Sequence, residues 1–198
     1  MDSSSAKRFL AGLLASLLVT AALPATPAKA DSVAELLDRA RSEAAQNKPL
    51  DALQSAQGAV NQLWAASPLF LNQALFTKGK AAGFGIYDPR PDTVFSQTDP
   101  LYVYLQPAGY GFQLTGELIQ FGFVVDLAVL DASGRERGGA KDFTKFDYVS
   151  RTANKEITLI FTVDPLKLTP GNYGLKITVH DKVKNQSVAK MLPFAIRP

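Results

Sequence analysis

The sequence predicts a mainly β protein, α+β overall, in which an antiparallel β-sandwich of about seven or eight strands follows an N-terminal α-helical hairpin. Three observations lead to this fold class. Apolar residues recur at helical spacing in residues 31–67, they alternate with polar residues from position 68 onward, and Gly- and Pro-containing turn sequences separate the alternating segments. We therefore divide the chain into a leader at residues 1–30, a helical hairpin at residues 31–67 and a β-sandwich at residues 68–198.

The leader has the layout of a secretory signal peptide. Lys7 and Arg8 precede an apolar run at residues 9–23, and Ala28 and Ala30 place small residues at both positions that a signal peptidase reads. The run is shorter than the about 20 residues that a helix needs to cross a bilayer. We expect cleavage after Ala30 and a periplasmic or secreted product with no membrane span.

Charge and cysteine content narrow the classes of partner. The 198-residue chain has 21 basic and 18 acidic side chains. Removal of the leader takes away Asp2, Lys7, Arg8 and Lys29, which leaves 18 basic and 17 acidic side chains and a net charge of +1. No run of five or more basic residues is present, so no nucleic-acid partner is expected. With no cysteine, the fold must be held by packing rather than disulfides even in an oxidising compartment.

Two helices are predicted before residue 68. Ser32 and Glu35 have the spacing of a capping box, which marks the start of the first helix, and Pro49 marks its end. The second helix runs from about residue 50 and stops before Pro68. Its broad apolar face consists of Ala52, Leu53, Ala56, Val60, Leu63 and Trp64.

The small-residue spacing of this hairpin resembles a tetratricopeptide unit, through Leu36, Ala40, Ala52, Ala56 and Ala59. The resemblance implies a docking scaffold, in which an exposed apolar face spanning Ala52, Ala56 and Leu63 binds a partner. The alternative is a structural hairpin whose alanine-rich face and Trp64 pack against the sandwich and cover the second face of its central strand.

The β part follows from residues that alternate between apolar and polar. The predicted strands are residues 69–77, 83–87, 101–106, 117–130, 156–163, 173–181 and 188–196, with a weaker one at 141–146. The strand at 117–130 is apolar on both faces, so we expect it at the centre of a sheet. Asp126 interrupts its apolar run and requires a partner, for which Arg90, Arg135 and Arg151 are the candidates.

The Pro-Gly-Asn-Tyr turn at residues 170–173 and the alternating strand after it resemble the penultimate hairpin of bacterial immunoglobulin-like or fibronectin-like modules. The resemblance extends to residues 194–196 and covers about residues 95–198. It implies that the sandwich is immunoglobulin-like, and as a likeness of fold it brings no functional residues with it.

Aromatic residues next to a Gly-containing loop supply the candidate binding site, which comprises Tyr102, Tyr104, Tyr110 and Phe112 together with Arg90. Rigid amphipathic rings are good contact material, and Arg90 stands in a loop bounded by prolines. The expected partner is an envelope protein or a polysaccharide, and the oligomeric state is left open. Packing between strands is the alternative role of the same tyrosines.

Groups suited to catalysis are few. His180 is the only histidine, so neither a zinc site with several His or Cys ligands nor another metal or cofactor is expected. These observations predict a binding module of the bacterial envelope that is not an enzyme. The alternative is an envelope hydrolase in which His180 acts with an acidic neighbour, which requires Ser or Asp within hydrogen-bond reach of the imidazole.

Overall fold

A computed structural model describes residues 31–164 and 167–198 of the chain. The leader predicted for residues 1–30 lies outside this part. The helices are α1 (Val33–Ala45) and α2 (Pro49–Ala66), and the strands are β1 (Phe70–Thr77), β2 (Val94–Phe95), β3 (Leu101–Ala108), β4 (Gln113–Thr115), β5 (Leu118–Asp131), β6 (Glu136–Ser150), β7 (Leu159–Val163), β8 (Gly171–Asp181) and β9 (Ser187–Ile196). Residues Ser32–Pro198 form one compact unit.

The predicted capping box opens α1. Glu35 N donates to Ser32 Oγ at 3.3 Å, and Ser32 N donates to Glu35 Oε2 at 2.6 Å, so two N–H groups of the first turn are satisfied reciprocally. Asn47, with φ 57°, reverses the chain before α2. The two helices then pack through small side chains: Ala59 is fully buried, and Ser55 Oγ donates to Glu43 Oε2 at 2.8 Å.

The strands form two sheets. One has the order β1-β3-β7, and the other has the order β2-β9-β8-β5-β4 with β6 also paired to β5. Neighbours pair antiparallel except β2 with β9, which are parallel. Register shifts interrupt the β5–β6 ladder near Leu127 and Leu130, and such bulges bend a strand and increase its twist. The larger sheet accordingly curls like half of a barrel.

One hydrophobic cluster contains the inward side chains of both sheets. Alternation places the core residues of β5, β7 and β8 at every second position, which is the pattern the sequence predicted. The cluster's central members are Leu101, Val103, Leu105, Phe123, Val125, Leu159, Leu175, Ile177 and Val179, each with no more than traces of exposed surface.

The prediction of a mainly β chain with antiparallel sheets and two helices is confirmed. The strand predicted at 83–87 is instead a turn, because Gly85 has φ 71° and the pair Gly83 and Ile86 forms only an isolated bridge. The weak strand at 141–146 is the middle of the long β6, and β2 and β4 were not predicted.

One alternative expected the hairpin to cover the outer face of β5, and in the structure the hairpin does not cover this face. The hydrogen bonds that join α2 to the β part run instead to connections between strands, at Tyr110, Lys155 and Lys184. In the part of the chain that the structure describes, no helix combines the length and apolar character needed to cross a bilayer.

Candidate functional site

Two of the five predicted site residues belong to β3. Tyr104 is fully buried, its hydroxyl accepts hydrogen bonds from Gly85 N at 2.8 Å and Gln106 Nε2 at 2.6 Å, and its ring lies 4.1 Å from that of Tyr87. Tyr102, which shares its face of β3, is half-buried. Tyr104 therefore fixes the loop between β1 and β2 against the smaller sheet.

Arg90 lies in that same loop, with its guanidinium engaged by neighbouring residues. Nη2 donates to Val94 O at 2.6 Å, Nε is 3.5 Å from Asp92 Oδ1, and the group stacks 4.1 Å from the centre of the Phe95 ring. These contacts hold the loop onto β2. The predicted binding role of Arg90 and Tyr102 stays a prediction.

Tyr110 and Phe112 lie elsewhere, in the connection between β3 and β4 where the hairpin meets the sheets. The Tyr110 ring packs edge to face against Trp64 of α2 at 5.0 Å, and Phe112 stacks on Trp64 at 6.4 Å. Tyr110 is 1% exposed and its hydroxyl donates to Asn154 O at 2.7 Å. Burial raises the pKa of Tyr110.

A cleft of about 360 Å³ opens beside these rings, and we call it the junction cleft. The junction cleft is lined by side chains from α2, from the β3–β4 and β6–β7 connections and from the β8–β9 turn. The main lining residues are Trp64, Tyr110, Phe112, Lys155, Val183 and Lys184. The five predicted residues thus separate into two groups, and only Tyr110 and Phe112 contribute to this cleft.

Lys184 secures the helical wall of the junction cleft. Its Nζ lies within hydrogen-bond distance of four backbone oxygens, those of Trp64 at 3.4 Å, Ala65 at 3.0 Å, Ser67 at 2.7 Å and Gly109 at 2.7 Å, which share its three N–H donors. The last carbonyls of a helix lack partners within it and carry partial negative charge. Because α2 has no basic residue in its own last turn, Lys184 supplies the missing cation from the β8–β9 turn.

Asp181 holds the turn that presents Lys184. Its carboxylate is buried and accepts three backbone hydrogen bonds, from Gly111 N at 2.7 Å, Val183 N at 2.8 Å and Lys184 N at 3.2 Å. A buried carboxylate is tolerated when its oxygens are satisfied in this way. One side chain therefore links the β8–β9 turn to the connection that carries Tyr110 and Phe112.

Gly109 allows the chain to enter this connection. Its φ is 73°, and a Cβ at this position would lie 2.2 Å from the backbone oxygen of Pro68. Only glycine fits such a close approach of two backbones at positive φ.

Lys155 is the cation at the rim of the junction cleft. Its Nζ donates to Asn61 Oδ1 at 2.7 Å and lies 5.8 Å and 6.0 Å from the ring centres of Trp64 and Phe112. An ammonium has three N–H donors, and Asn61 is the hydrogen-bond partner found for it among the described residues. The cleft therefore combines aromatic rings with a positive charge over their faces.

A second feature lies on the outer face of the larger sheet. His180 Nε2 is 2.9 Å from Asp126 Oδ2, and Asp142 N donates to Asp126 Oδ1 at 2.8 Å. These two contacts, that of Asp142 first, lower the pKa of Asp126. The arginines predicted as partners of Asp126 are replaced by His180 because β5 and β8 are neighbours in the sheet.

The His180–Asp126 contact supplies the acidic neighbour that the hydrolase alternative requires. Among the described residues, however, no serine or threonine hydroxyl is hydrogen-bonded to the imidazole. Within the same residues no group of three or more His, Asp and Glu side chains is placed to hold a metal ion.

Comparison with known proteins gives little to set beside this geometry. No protein-family model matches the chain, and no curated protein matches it. Among solved structures, the chain is similar to the Pseudomonas fluorescens alkylpurine DNA glycosylase AlkC bound to DNA containing an abasic site analogue, with 13% sequence identity and a TM-score of 0.32. The similarity covers 75% of this chain and 37% of that one.

Two expectations are corrected by this comparison: that the chain is not an enzyme, and that its partner is an envelope protein or polysaccharide rather than nucleic acid. The similar structure is of an enzyme that binds DNA, so both expectations are withdrawn. At a TM-score of 0.32 the likeness carries no argument for an activity or a ligand of this chain.

Proposed function

We propose that this chain is an exported binding protein whose β part is an immunoglobulin-like sandwich and whose ligand site is the junction cleft. The ligand class that the cleft fits best is a small molecule with a flat aromatic ring and an anionic group. The observation that carries the proposal is the position of Lys155 Nζ, 5.8 Å from the Trp64 ring and 6.0 Å from the Phe112 ring, at the rim of a cleft of about 360 Å³.

The size and lining of the cleft support this ligand class. Pockets for small molecules hold about 300–1,000 Å³ and are lined by apolar and aromatic side chains with a few polar groups that fix orientation. Trp64 and Phe112 are both half-buried, so part of each ring remains available for stacking. The ammonium of Lys155 then selects an anionic substituent.

The other polar groups that line the cleft stabilise its walls. Trp64 Nε1 donates to Tyr110 O, the Tyr110 hydroxyl donates to Asn154 O, and Lys184 binds backbone oxygens. Since these bonds fix both walls, the cleft is formed before a ligand arrives, and a ligand does not have to order it.

Fluorescence tests the proposal directly, because Trp64 is the only tryptophan of the chain. Titration with 1-naphthoate should change the emission of Trp64 and saturate, and the uncharged 1-naphthalenemethanol should bind more weakly. Lys155→Gln should weaken naphthoate binding about tenfold, because it removes one charge-assisted contact. Binding of the neutral analogue should be unaffected. Lys182→Gln is the matched control, since Lys182 lines no part of this cleft.

Two results would count against the cleft as a ligand site. One is a titration in which Trp64 emission does not saturate with either compound. The other is equal weakening by Lys155→Gln of the charged and the neutral compound, because that outcome indicates a disturbed fold rather than a lost charge contact.

Export is tested by the N-terminus of the protein recovered from cells. The predicted signal peptide gives a product that begins at Asp31 and is found outside the cytoplasm. A product that retains residues 1–30 in the cytoplasm would contradict it.

A further inference from the structure

A second cavity, of about 200 Å³, opens between the two sheets, and we call it the edge slot. Buried core residues line it from three strands: Leu127 and Val129 from β5, Leu175 from β8 and Val163 from β7. Residues 137–140 of β6 line its open side. Because β7 is the last strand of the smaller sheet and β6 pairs only with β5, the edge slot leads from solvent into the core where both sheets end.

Small residues on the inner face of β6 keep the edge slot open. Gly138 pairs with Val129, and Ala140 pairs with Leu127. Directly opposite residues of an antiparallel pair point to the same face of a sheet, so positions 138 and 140 face the core. A Cβ at Gly138 would meet no atom within 4 Å, which shows that the space beneath this residue is empty of protein.

An aromatic side chain closes the gap between the sheets further along β6. Phe143 packs edge to face against Phe161 of β7, with the ring centres 5.7 Å apart, and it also lines the edge slot. The remaining volume is large enough for a ligand, since an apolar cavity of about 150 Å³ binds benzene. At about 200 Å³, the edge slot suits an alkyl chain of moderate length.

Arg137 is the one charged side chain among the residues that line the edge slot. Nearby charges pair elsewhere, Arg135 with Asp131 and Lys145 with Asp142. In the part of the chain that the structure describes, no carboxylate lies within ion-pair distance of Arg137. A guanidinium binds a carboxylate through two parallel hydrogen bonds, so Arg137 is the complement of an anionic head group.

We propose that the edge slot binds a medium-chain alkyl carboxylate, with the alkyl chain against the core residues and the carboxylate on Arg137. The gain comes from removal of apolar surface from water on both the chain and the slot. The charge of Arg137 distinguishes an anionic head group from a neutral or cationic one. No residue lines both the edge slot and the junction cleft, so this inference is independent of the proposed function.

Calorimetric titration with octanoate tests the site, on the protein purified after expression of the full chain. We expect saturable binding of one octanoate, with the negative heat-capacity change that burial of apolar surface produces. 1-Octanol should bind more weakly, and octylammonium should not bind. Failure of octanoate to saturate below about 10 mM would overturn the proposal, and equally tight binding of octylammonium would overturn the role of Arg137.

Gly138→Val tests whether the alkyl chain occupies the edge slot. The backbone of Gly138 lies outside the region that favours glycine, and the new side chain enters open space, so circular dichroism and urea unfolding should show a fold as stable as the wild type. Octanoate binding should fall at least tenfold, because valine fills the slot. Gly79→Val is the matched control, since a Cβ there also meets no atom within 4 Å. Wild-type affinity in Gly138→Val would overturn the proposal.

Arg137→Gln tests the head group. Octanoate binding should weaken about tenfold through loss of one charge-assisted contact, while 1-octanol binding stays the same. Arg151→Gln, at an exposed arginine paired with Glu117, should leave both affinities unchanged. Lys155→Gln should also leave octanoate binding unchanged, and a loss there in place of Arg137→Gln would assign octanoate to the junction cleft and overturn the edge slot as its site.

Discussion

The indole nitrogen of Trp64 donates a 2.8 Å hydrogen bond to the backbone oxygen of Tyr110, and the two rings meet edge to face 5.0 Å apart. A single side chain of α2 is therefore fixed to the β part by a polar and an aromatic contact at once. Because the rings also line the junction cleft, stability of the junction and the shape of the cleft depend on the same residues.

Replacement of Trp64 separates the two contacts. Trp64→Phe retains a ring but leaves the oxygen of Tyr110 without its donor, and we expect a loss of about 1–2 kcal/mol in the free energy of unfolding. Trp64→Ala removes the ring as well and should cost about 3–5 kcal/mol. Urea unfolding followed by circular dichroism measures both. Phe84→Leu, at an exposed ring, is the control and should change stability by less than about 0.5 kcal/mol.

Lys184→Met tests the cation at the end of α2. The variant keeps most of the aliphatic stem and leaves four backbone oxygens without the ammonium, so we expect a loss of about 2 kcal/mol. Faster amide exchange should appear in the residues around 64–67. Lys182→Met is the matched control, because Lys182 pairs with the exposed Asp147 and should contribute at most about 1 kcal/mol. Equal effects of the two variants would contradict the capping role.

Asp181→Asn tests the buried carboxylate. The amide nitrogen of asparagine cannot accept a hydrogen bond, so at least one of the N–H groups of Gly111, Val183 and Lys184 loses its partner. We expect a loss of about 2–3 kcal/mol in the free energy of unfolding. Asp147→Asn, at an exposed carboxylate, should have little effect on the free energy of unfolding. A loss there similar to that of Asp181→Asn would contradict a special role of the buried carboxylate.

Gly109→Ala tests the close approach to Pro68. The added methyl group would meet the Pro68 oxygen at 2.2 Å, at a φ of 73°, so thermal unfolding should show a loss of about 2 kcal/mol or more. Gly79→Ala is the control, since a Cβ there meets no atom within 4 Å, and it should change stability by less than about 1 kcal/mol. A neutral Gly109→Ala would show that the junction relaxes around the added atom.

Asp126 gives stability a dependence on pH. Its pKa is lowered in the folded chain by the Asp142 N–H and then by His180, so the folded state binds this proton less tightly than the unfolded state. The stabilisation is therefore present above the ordinary pKa of an aspartate and is lost as pH falls through the lowered value. Asp126→Asn should reduce stability at neutral pH and lose less stability than wild type on acidification below about pH 4. Denaturant midpoints of both proteins across this pH range measure the difference. If the two midpoints fall in parallel as pH is lowered, the pH dependence does not come from Asp126.

Sequence patterns predicted the parts of the fold that depend on local periodicity. The capping box of Ser32 and Glu35 and the alternation in β8 are local signals, and both appear in the structure. Strands β2 and β4 span two and three residues, too few for an alternation to be read. The error at residues 83–87 has a related cause, since two glycines permit either a bulged strand or a turn.

The residues of the junction cleft were predicted only in part from the sequence. Tyr110 and Phe112 were singled out as aromatic residues beside glycines, and Trp64 as a filler between hairpin and β part. Lys155 and Lys184 gave no signal, because their partners on α2 are 94 and 117–120 residues away in the chain. A lysine that reaches a helix end across such a separation looks in sequence like any surface lysine.

The attachment of the hairpin also sets an order of events during biogenesis. Lys184, which neutralises the end of α2, follows its partners at that helix end by 117–120 residues. As the polypeptide emerges from the ribosome or a translocation channel, the two helices must wait for more than a hundred further residues before they acquire their cation. Truncation before the β8–β9 turn would therefore release the helical hairpin.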